Sequence, residues 1–375
     1  MRRRVLIGAA VAVAVALTAS PAAAGPSCPD LGPPDAKALA AAIAELPNAD
    51  VTGALVRVTG SAGRWTGTSG VSDTTTRAPV DPDGYFRIGS TTKVFTAVLV
   101  LQLAQERRLD LGRPVQDYLP GLLPASYPPI PVRTLLDHTS GLPSVDIPGM
   151  YDPAWVLAHR YDHWTPRQVV GTATAHPVEF APGTAQMYTN TSYLVAGLLA
   201  ERVTGRSYGE LIRDRIARPL GLRGTYEPGD DPELPTPHSK GYLTVDGTLK
   251  DATSMNQSMT WSAGSLVSTA RDLDTFLSGL FRGRLLGREM TAALFTVPEV
   301  PLVEGGPAIY SQGLMRLEVN GVTVWGKTGS RYGYSSGVFA TRDLERVVAY
   351  SVNATTKKAD GQPAIVLRIA DAASR

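Results

Sequence analysis

Apolar and polar positions change rhythm several times along the chain, and those changes predict its elements. Ala36 to Leu46 carries a helical spacing. Ala54-Leu55-Val56-Arg57-Val58 reads as a strand, Ser61-Ala62-Gly63 as a turn, and Arg64 to Ser69 as the returning partner of a hairpin. Past Lys93 the pattern switches: Val94 to Leu103 is almost wholly apolar and too long for a typical strand, which predicts a buried helix. Helical spacing recurs at Thr191 to Val203, Tyr208 to Ile216, Ala270 to Phe281 and Arg288 to Phe295, with proline-rich loops between, notably Pro120 to Pro131 and Pro228 to Pro237. Strand character returns at Gly313 to Val319, Val322 to Gly326, Gly337 to Ala340 and Arg346 to Asn353, and Ala364 to Ala373 closes with a helix. This order implies an α/β (α+β) fold. An antiparallel sheet is built from both chain ends and flanked by helices, with a mostly helical region inserted between its halves.

Composition narrows the class. With 375 residues, 43% of them hydrophobic and 19% charged, the chain can bury a sizeable core. Its 37 glycines and 29 prolines suit a loop-rich globule and exclude a coiled coil. The formal charge of +2 rests on Arg2, Arg3 and Arg4, the only charged residues before Gly25. Beyond them 33 basic residues face 34 acidic ones, about −1, so the charge offers no general basis for nucleic-acid binding, and no aromatic–basic interleaving suggests it.

Those arginines, the apolar run from Val5 to Leu17 and the small residues Ala22-Ala23-Ala24 form a secretory signal pattern over Met1 to Ala24. The apolar run is shorter than the roughly 20 residues a membrane span needs, so stable membrane insertion is not expected. Sec and twin-arginine export both stay open, and the expected location is secreted, outside the cytoplasm. Cys28 is the only cysteine, which excludes an intramolecular disulfide and multi-cysteine zinc sites, and its place beside the cleavage site argues against a nucleophile. No cofactor or metal is expected.

The densest chemical signal is Gly89-Ser90-Thr91-Thr92-Lys93 at the start of the apolar helix. Residues three apart share a helix face, so Lys93 lies beside the Ser90 hydroxyl. Partial burial lowers its pKa and lets it accept a proton, and a helix N-terminus favours an anion. Alone, S-x-x-K is weak: an N-capping serine and a surface lysine match it too. Two further pieces add weight, Tyr188-Thr189-Asn190 before a helix and Lys327-Thr328-Gly329 at the end of a strand. A serine nucleophile without a His–Asp pair needs a second proton carrier, a cation beside it and an amide to grip substrate. Tyr188, Lys327 and Asn190 supply these types.

With S-x-x-K, Y-x-N and K-T-G in that order, the chain resembles the penicillin-recognising serine hydrolases. Within them it is most similar to the D-alanyl-D-alanine carboxypeptidases related to class C β-lactamases. Phe86 to Lys93, Tyr118 to Pro124, Thr134 to Leu142, Tyr188 to Thr191, Trp261 to Gly264 and Asp272 to Phe276 all carry the likeness. The resemblance implies one β-lactamase-like domain over 25–375, with its sheet region at about 36–85 and 305–375 and its helical region at about 90–300. It implies a two-step acyl transfer in which Ser90 is the nucleophile, Lys93 and Tyr188 share the proton work, and Lys327 supports them. Asn190 would bond the substrate amide, and Thr328 and Gly329 would line the substrate strand. The N–H groups of Ser90 and Ser330 would hold the oxyanion. Trp261 would line the pocket or fill the core, and Arg316 would anchor a terminal carboxylate. The ligands so implied are peptidoglycan stem peptides or β-lactams. The third motif opens with Lys327 where the carboxypeptidases carry histidine. Lysine there is the β-lactamase pattern, and it is expected to stay charged at physiological pH. The reading is therefore a D-Ala-D-Ala carboxypeptidase, with a β-lactamase, an esterase or a D-amino-acid amidase as alternatives. A catalytically silent binding protein would have no need of both lysines and the tyrosine.

Other motifs carry less. Gly333-Tyr334-Ser335-Ser336-Gly337 matches G-x-S-x-G, but the flanking pattern predicts strand–turn–strand, not the strand-to-helix elbow. His159 and His163 have zinc-helix spacing, yet Arg160 stands where the catalytic glutamate belongs. His138 reads as a loop-fixing residue. Asn190, Asn256 and Asn353 lie in N-x-S/T triplets.

Overall fold

A computed structural model describes residues 31–355 and 362–375. The leader, Met1 to Ala24, and Cys28 lie outside the described residues. Six strands form the main sheet: β1 (Val51–Thr59), β2 (Trp65–Gly70), β7 (Met315–Val319), β8 (Val322–Arg331), β9 (Tyr334–Ala340) and β10 (Val347–Ala354). Between them the chain makes β3 (Phe86–Arg87), which pairs with β6 (Val267–Ser268), and a separate hairpin of β4 (Tyr242–Val245) and β5 (Thr248–Asp251). The main sheet runs β2-β1-β10-β9-β8-β7, all neighbours antiparallel. The N-terminal hairpin therefore docks on the last strand, as a sheet made from both chain ends requires.

Both faces of the sheet are covered, and β1 shows why. Ala54, Val56 and Val58 face a small core with Leu39, Ile365 and Ile369 from the terminal helices Ala36–Ala42 and Ala364–Ala373, and with Ile43 just past the first of them. Leu55 points the other way into the large core, and Arg57 and Thr59 bond Asp274 of the Ala270–Phe281 helix at 2.9 Å each. Alternation of two residues decides which layer each side chain meets.

The Thr92–Gln105 helix runs through the middle of the helical layer. Every residue from Thr92 to Leu103 is buried, so a helix without an exposed stripe has been given neighbours on all sides. Phe95 stacks on Phe276, and Thr96 bonds Ser262 O and the Tyr208 hydroxyl. Its N-terminal end meets the sheet at β8.

Several expected boundaries move. The first helix stops at Ala42, where Glu45 (φ 63°) and Pro47 take over. The expected helix Tyr208 to Ile216 is a regular helix only over Tyr208–Ile212, then a wider π turn over Arg213–Ala217. Pro219 has no N–H for the Arg215 carbonyl, which accepts from Gln102 Nε2 instead. The third motif does not end its strand: β8 runs on to Arg331, with Lys327 in its middle. β7 pairs only with Val322–Gly326, so beyond Gly326 β8 has β9 alone as partner. Among the described residues no helix is long and apolar enough to cross a membrane.

Candidate active site

The open stretch of β8 meets the turn that precedes the central helix. Gly89–Thr91 forms one 3₁₀ turn, and Gly89 sits at φ +51°. A Cβ there would lie 2.6 Å from Ser330 N and 2.7 Å from Ser330 O; one on Gly329 would lie 1.9 Å from Ile88 O. Two glycines thus let backbone touch backbone and bring the amide of Ser330 next to the Ser90 turn. Ser336 of β9 locks the same contact by donating to Ile88 O at 3.0 Å, while Thr91 Oγ1 donates to Lys327 O at 3.3 Å.

Around the half-buried Ser90 stand three of the expected partners. Lys93 Nζ lies 3.2 Å from Ser90 Oγ, and the Tyr188 hydroxyl donates to Ser90 Oγ at 2.6 Å. Lys93 Nζ also donates to Asn190 Oδ1 and to Ala263 O, each at 2.7 Å. Asn190 opens the Asn190–Thr204 helix but does not cap it: Thr189 Oγ1 takes that task, accepting from Thr191 N. Asn190 is therefore released to meet Lys93 through its oxygen, and its Nδ2 has no protein acceptor among the described residues. Lys327 Nζ sits over the Tyr188 ring at 4.9 Å and near the Tyr310 ring at 5.6 Å, with one bond, to Thr328 O at 3.1 Å.

Burial controls the charges. The Lys93 amine is fully enclosed, and desolvation, helped by the nearby Lys327, holds its pKa well below the ordinary lysine value. Desolvation brings Lys327 down to about 7, which corrects the expectation of a permanent cation. Aromatic rings and a carbonyl surround it where a carboxylate would be needed to keep it charged. Burial pushes the Tyr188 phenol above its usual range despite the bond to Ser90. These directions fit one arrangement of protons. A neutral amine has two hydrogens, and Asn190 Oδ1 and Ala263 O, both obligate acceptors, take them. Its lone pair then faces the Ser90 hydroxyl, whose oxygen accepts from Tyr188.

His138 (φ +62°) packs its buried ring 4.6 Å from Tyr188, 5.2 Å from Tyr193 and 4.9 Å from Tyr310. Its Nδ1 accepts from Thr189 N–H at 3.3 Å, the loop-fixing bond expected of it, and burial keeps it neutral. Trp261 lies half-buried against the Tyr208 ring, 5.2 Å away, and the backbone of Gly197; what its segment gives the cluster is the Ala263 carbonyl. Arg316 is not brought in: it is exposed on β7, across from Trp325. His159 and His163 turn to different carboxylates, Asp162 at 2.8 Å and Asp230 at 2.6 Å. Ser335 lies within strand β9 and bonds Gln362, so no nucleophile elbow forms. Sequence reasoning missed Ala263, Tyr310 and Ser336. Ala263 acts through a backbone atom and Ser336 through a carbonyl 248 residues away, neither of which leaves a local signal.

Comparison with known proteins is consistent with this geometry. A family model described as Beta-lactamase matches residues 39–372. Penicillin-binding protein 4 of Amycolatopsis lactamdurans is 35% identical over 157 residues, 41% of this chain and 39% of its own length. The chain thus spans about two fifths of that curated relative. Among solved structures, a D-stereospecific amidohydrolase from Streptomyces sp. shares 37% identity at a TM-score of 0.77, covering 85% of this chain and 94% of its own. The D-amino acid amidase of Ochrobactrum anthropi shares 26% at 0.77, covering 90% and 98%.

Proposed function

The chain belongs to the β-lactamase family of serine hydrolases, and on that premise we propose that it hydrolyses amide bonds of D-amino-acid substrates through an acyl-enzyme on Ser90. The observation that carries this reading is the Lys93–Ser90–Tyr188 cluster. Ser90 Oγ attacks the carbonyl carbon while its proton passes to the neutral Lys93 amine. The oxyanion faces the N–H groups of Ser90 and Ser330. Tyr188 gives its proton to the leaving nitrogen as the C–N bond breaks, and the proton that Lys93 took from Ser90 then restores the Tyr188 phenol, leaving the Lys93 amine neutral again. Water then attacks the ester by the reverse path. Asn190 Nδ2 bonds the substrate amide in this reading.

Neutral amides are favoured over peptides with a free carboxylate because of the cations present. Lys93 and Lys327, the cations of the cluster, are both pushed toward their neutral forms, and Arg316 stays outside. The likeness to the Streptomyces amidohydrolase over most of both chains supports the same reading. A D-Ala-D-Ala carboxypeptidase is the second reading, favoured by the half-buried Thr328 and by Lys327, still partly charged near pH 7, as carboxylate partners. The leader pattern of Met1 to Ala24 supports action outside the cytoplasm.

The test is a turnover panel: a D-amino acid amide, its L enantiomer, a D-Ala-D-Ala peptide and penicillin, with intact-protein mass spectrometry. Turnover of the D-amide over the L-amide, with a lasting penicilloyl adduct on Ser90, is expected. D-Ala release without amide turnover would establish the carboxypeptidase. Fast bulk hydrolysis of penicillin would make the enzyme a β-lactamase.

A further inference from the structure

Charge is unevenly placed on this molecule. Three segments meet at the C-terminal end of the Thr92–Gln105 helix: residues 105–108, 201–218 and 282–289. Arg108 Nη2 donates to Val203 O at 2.7 Å, Gln102 Nε2 reaches both Arg215 O (3.3 Å) and Leu285 O (3.2 Å), and Gly287 N donates to Gln105 Oε1. Together the segments hold ten arginines, no lysine and five carboxylates. The rest of the chain beyond Ala24 has 23 basic residues against 29 acidic ones. A chain near neutrality overall is therefore strongly polarised.

Ion pairing does not cancel this pole. Asp214 is shared by Arg206, Arg213 (2.8 Å) and Arg218 (2.9 Å), with Glu210 as a second, longer partner of Arg206 (3.9 Å), and Glu106 is shared by Arg215 (2.6 Å) and Arg108 (4.0 Å). Arg107, Arg202, Arg282, Arg284 and Arg288 are exposed and have no carboxylate partner among the described residues. Exposed guanidinium groups so crowded repel one another and favour a bound anion. Among the described residues the exposed large apolar side chains, Tyr151, Tyr161, Leu249, Val303 and Leu367, all lie outside these segments, so the pole has no anchors for insertion into a bilayer. No exposed aromatic ring is present on it for stacking bases.

The pole is also distant from the chemistry. Ser90 is at the opposite end of a helix of 14 residues, about 20 Å long at 1.5 Å per residue. It is not a substrate pocket for the reacting group.

We propose that this arginine pole docks a soluble anionic polymer of repeated phosphodiester groups that carries no nucleobases. The planar guanidinium fork pairs with phosphate through two parallel bonds. A single phosphate reaches only the arginines near it, because salt screens beyond about 8–10 Å. A chain of phosphates can engage all three segments at once and release counterions from each contact.

The probe is fluorescently labelled poly(glycerol phosphate), read by anisotropy with the whole mature protein. With four or five phosphates neutralised, affinity should fall by about fiftyfold to a few hundredfold between roughly 50 and 200 mM salt. Arg107→Gln/Arg202→Gln/Arg282→Gln/Arg284→Gln should weaken binding at least tenfold at low salt, leaving Tm and turnover of a small D-amide unchanged. The control Lys37→Gln/Arg64→Gln, elsewhere on the surface, should bind like the parent. Absence of binding at low salt, undiminished binding by the fourfold variant, or tighter binding to anionic vesicles or single-stranded DNA would each overturn the proposal.

Discussion

Replacing Lys93 by alanine tests the proton arrangement at its centre. The amine nitrogen lies 3.2 Å from Ser90 Oγ and holds Asn190 Oδ1 and Ala263 O at 2.7 Å each. Losing the proton acceptor should slow acylation by about 10²–10⁴-fold, or ~3–5 kcal/mol of barrier at about 1.4 kcal/mol per factor of ten. The buried Ala263 O also loses its donor, at about 1–3 kcal/mol, and the half-buried Asn190 Oδ1 loses one at a smaller cost. Against this, the amine no longer has to be stripped of water on folding, which offsets part of that loss. The expected protein is folded, with a Tm lower by several degrees, a kcat reduced at least a hundredfold and a KM little changed. Stopped-flow acylation by a chromogenic substrate, with folded protein counted from thermal melts, separates the two effects. If acylation fell only by the unfolded fraction, or if the loss were confined to KM, Lys93 would be a structural or binding residue and the assignment would fail.

Three other outcomes follow from the same geometry. Ser90→Ala should abolish fluorophosphonate labelling and turnover in a folded protein, whereas Ser335→Ala, within strand β9, should keep both; the reverse pattern would move the nucleophile. With Lys327 near pKa 7, kcat/KM for a carboxylate-bearing peptide should decline above about pH 7 as that cation is lost, while a neutral D-amide shows no such limb. Because the folded pKa is depressed, the unfolded chain binds more protons between about 7 and 10, so stability rises with pH there. Lys327→Met should flatten that rise in melts, and an unchanged slope would refute the depressed pKa. His138→Ala should cut kcat through misplacement of Tyr188 and Asn190. His138→Asn, which tolerates the left-handed backbone and retains an acceptor for Thr189 N–H, should recover part of it; equal losses would show that the ring packing alone matters.

Local pattern determined a great deal here. The buried helix from Val94 to Leu103 was legible because its apolar run is too long for a strand, and Lys93 beside Ser90 because helical spacing alone puts residues three apart on one face. The sheet from both chain ends followed from strand character at both termini. What stayed hidden depends on segments distant in sequence. No local signal could show that Ala263 O would finish the coordination of Lys93, or that Thr189 would cap the helix and release Asn190. Lys327 looked like a fixed charge because a sequence shows a residue's type and not its solvent, and only packing against Tyr188 and Tyr310 removed the water that charge needs. The arginine pole was concealed in the same way, since net charge is a sum over the chain while potential depends on position. Sequence determined which groups exist and which lie within a turn of each other. Tertiary structure decided their distances and their solvation, and those two quantities set pKa, reactivity and field.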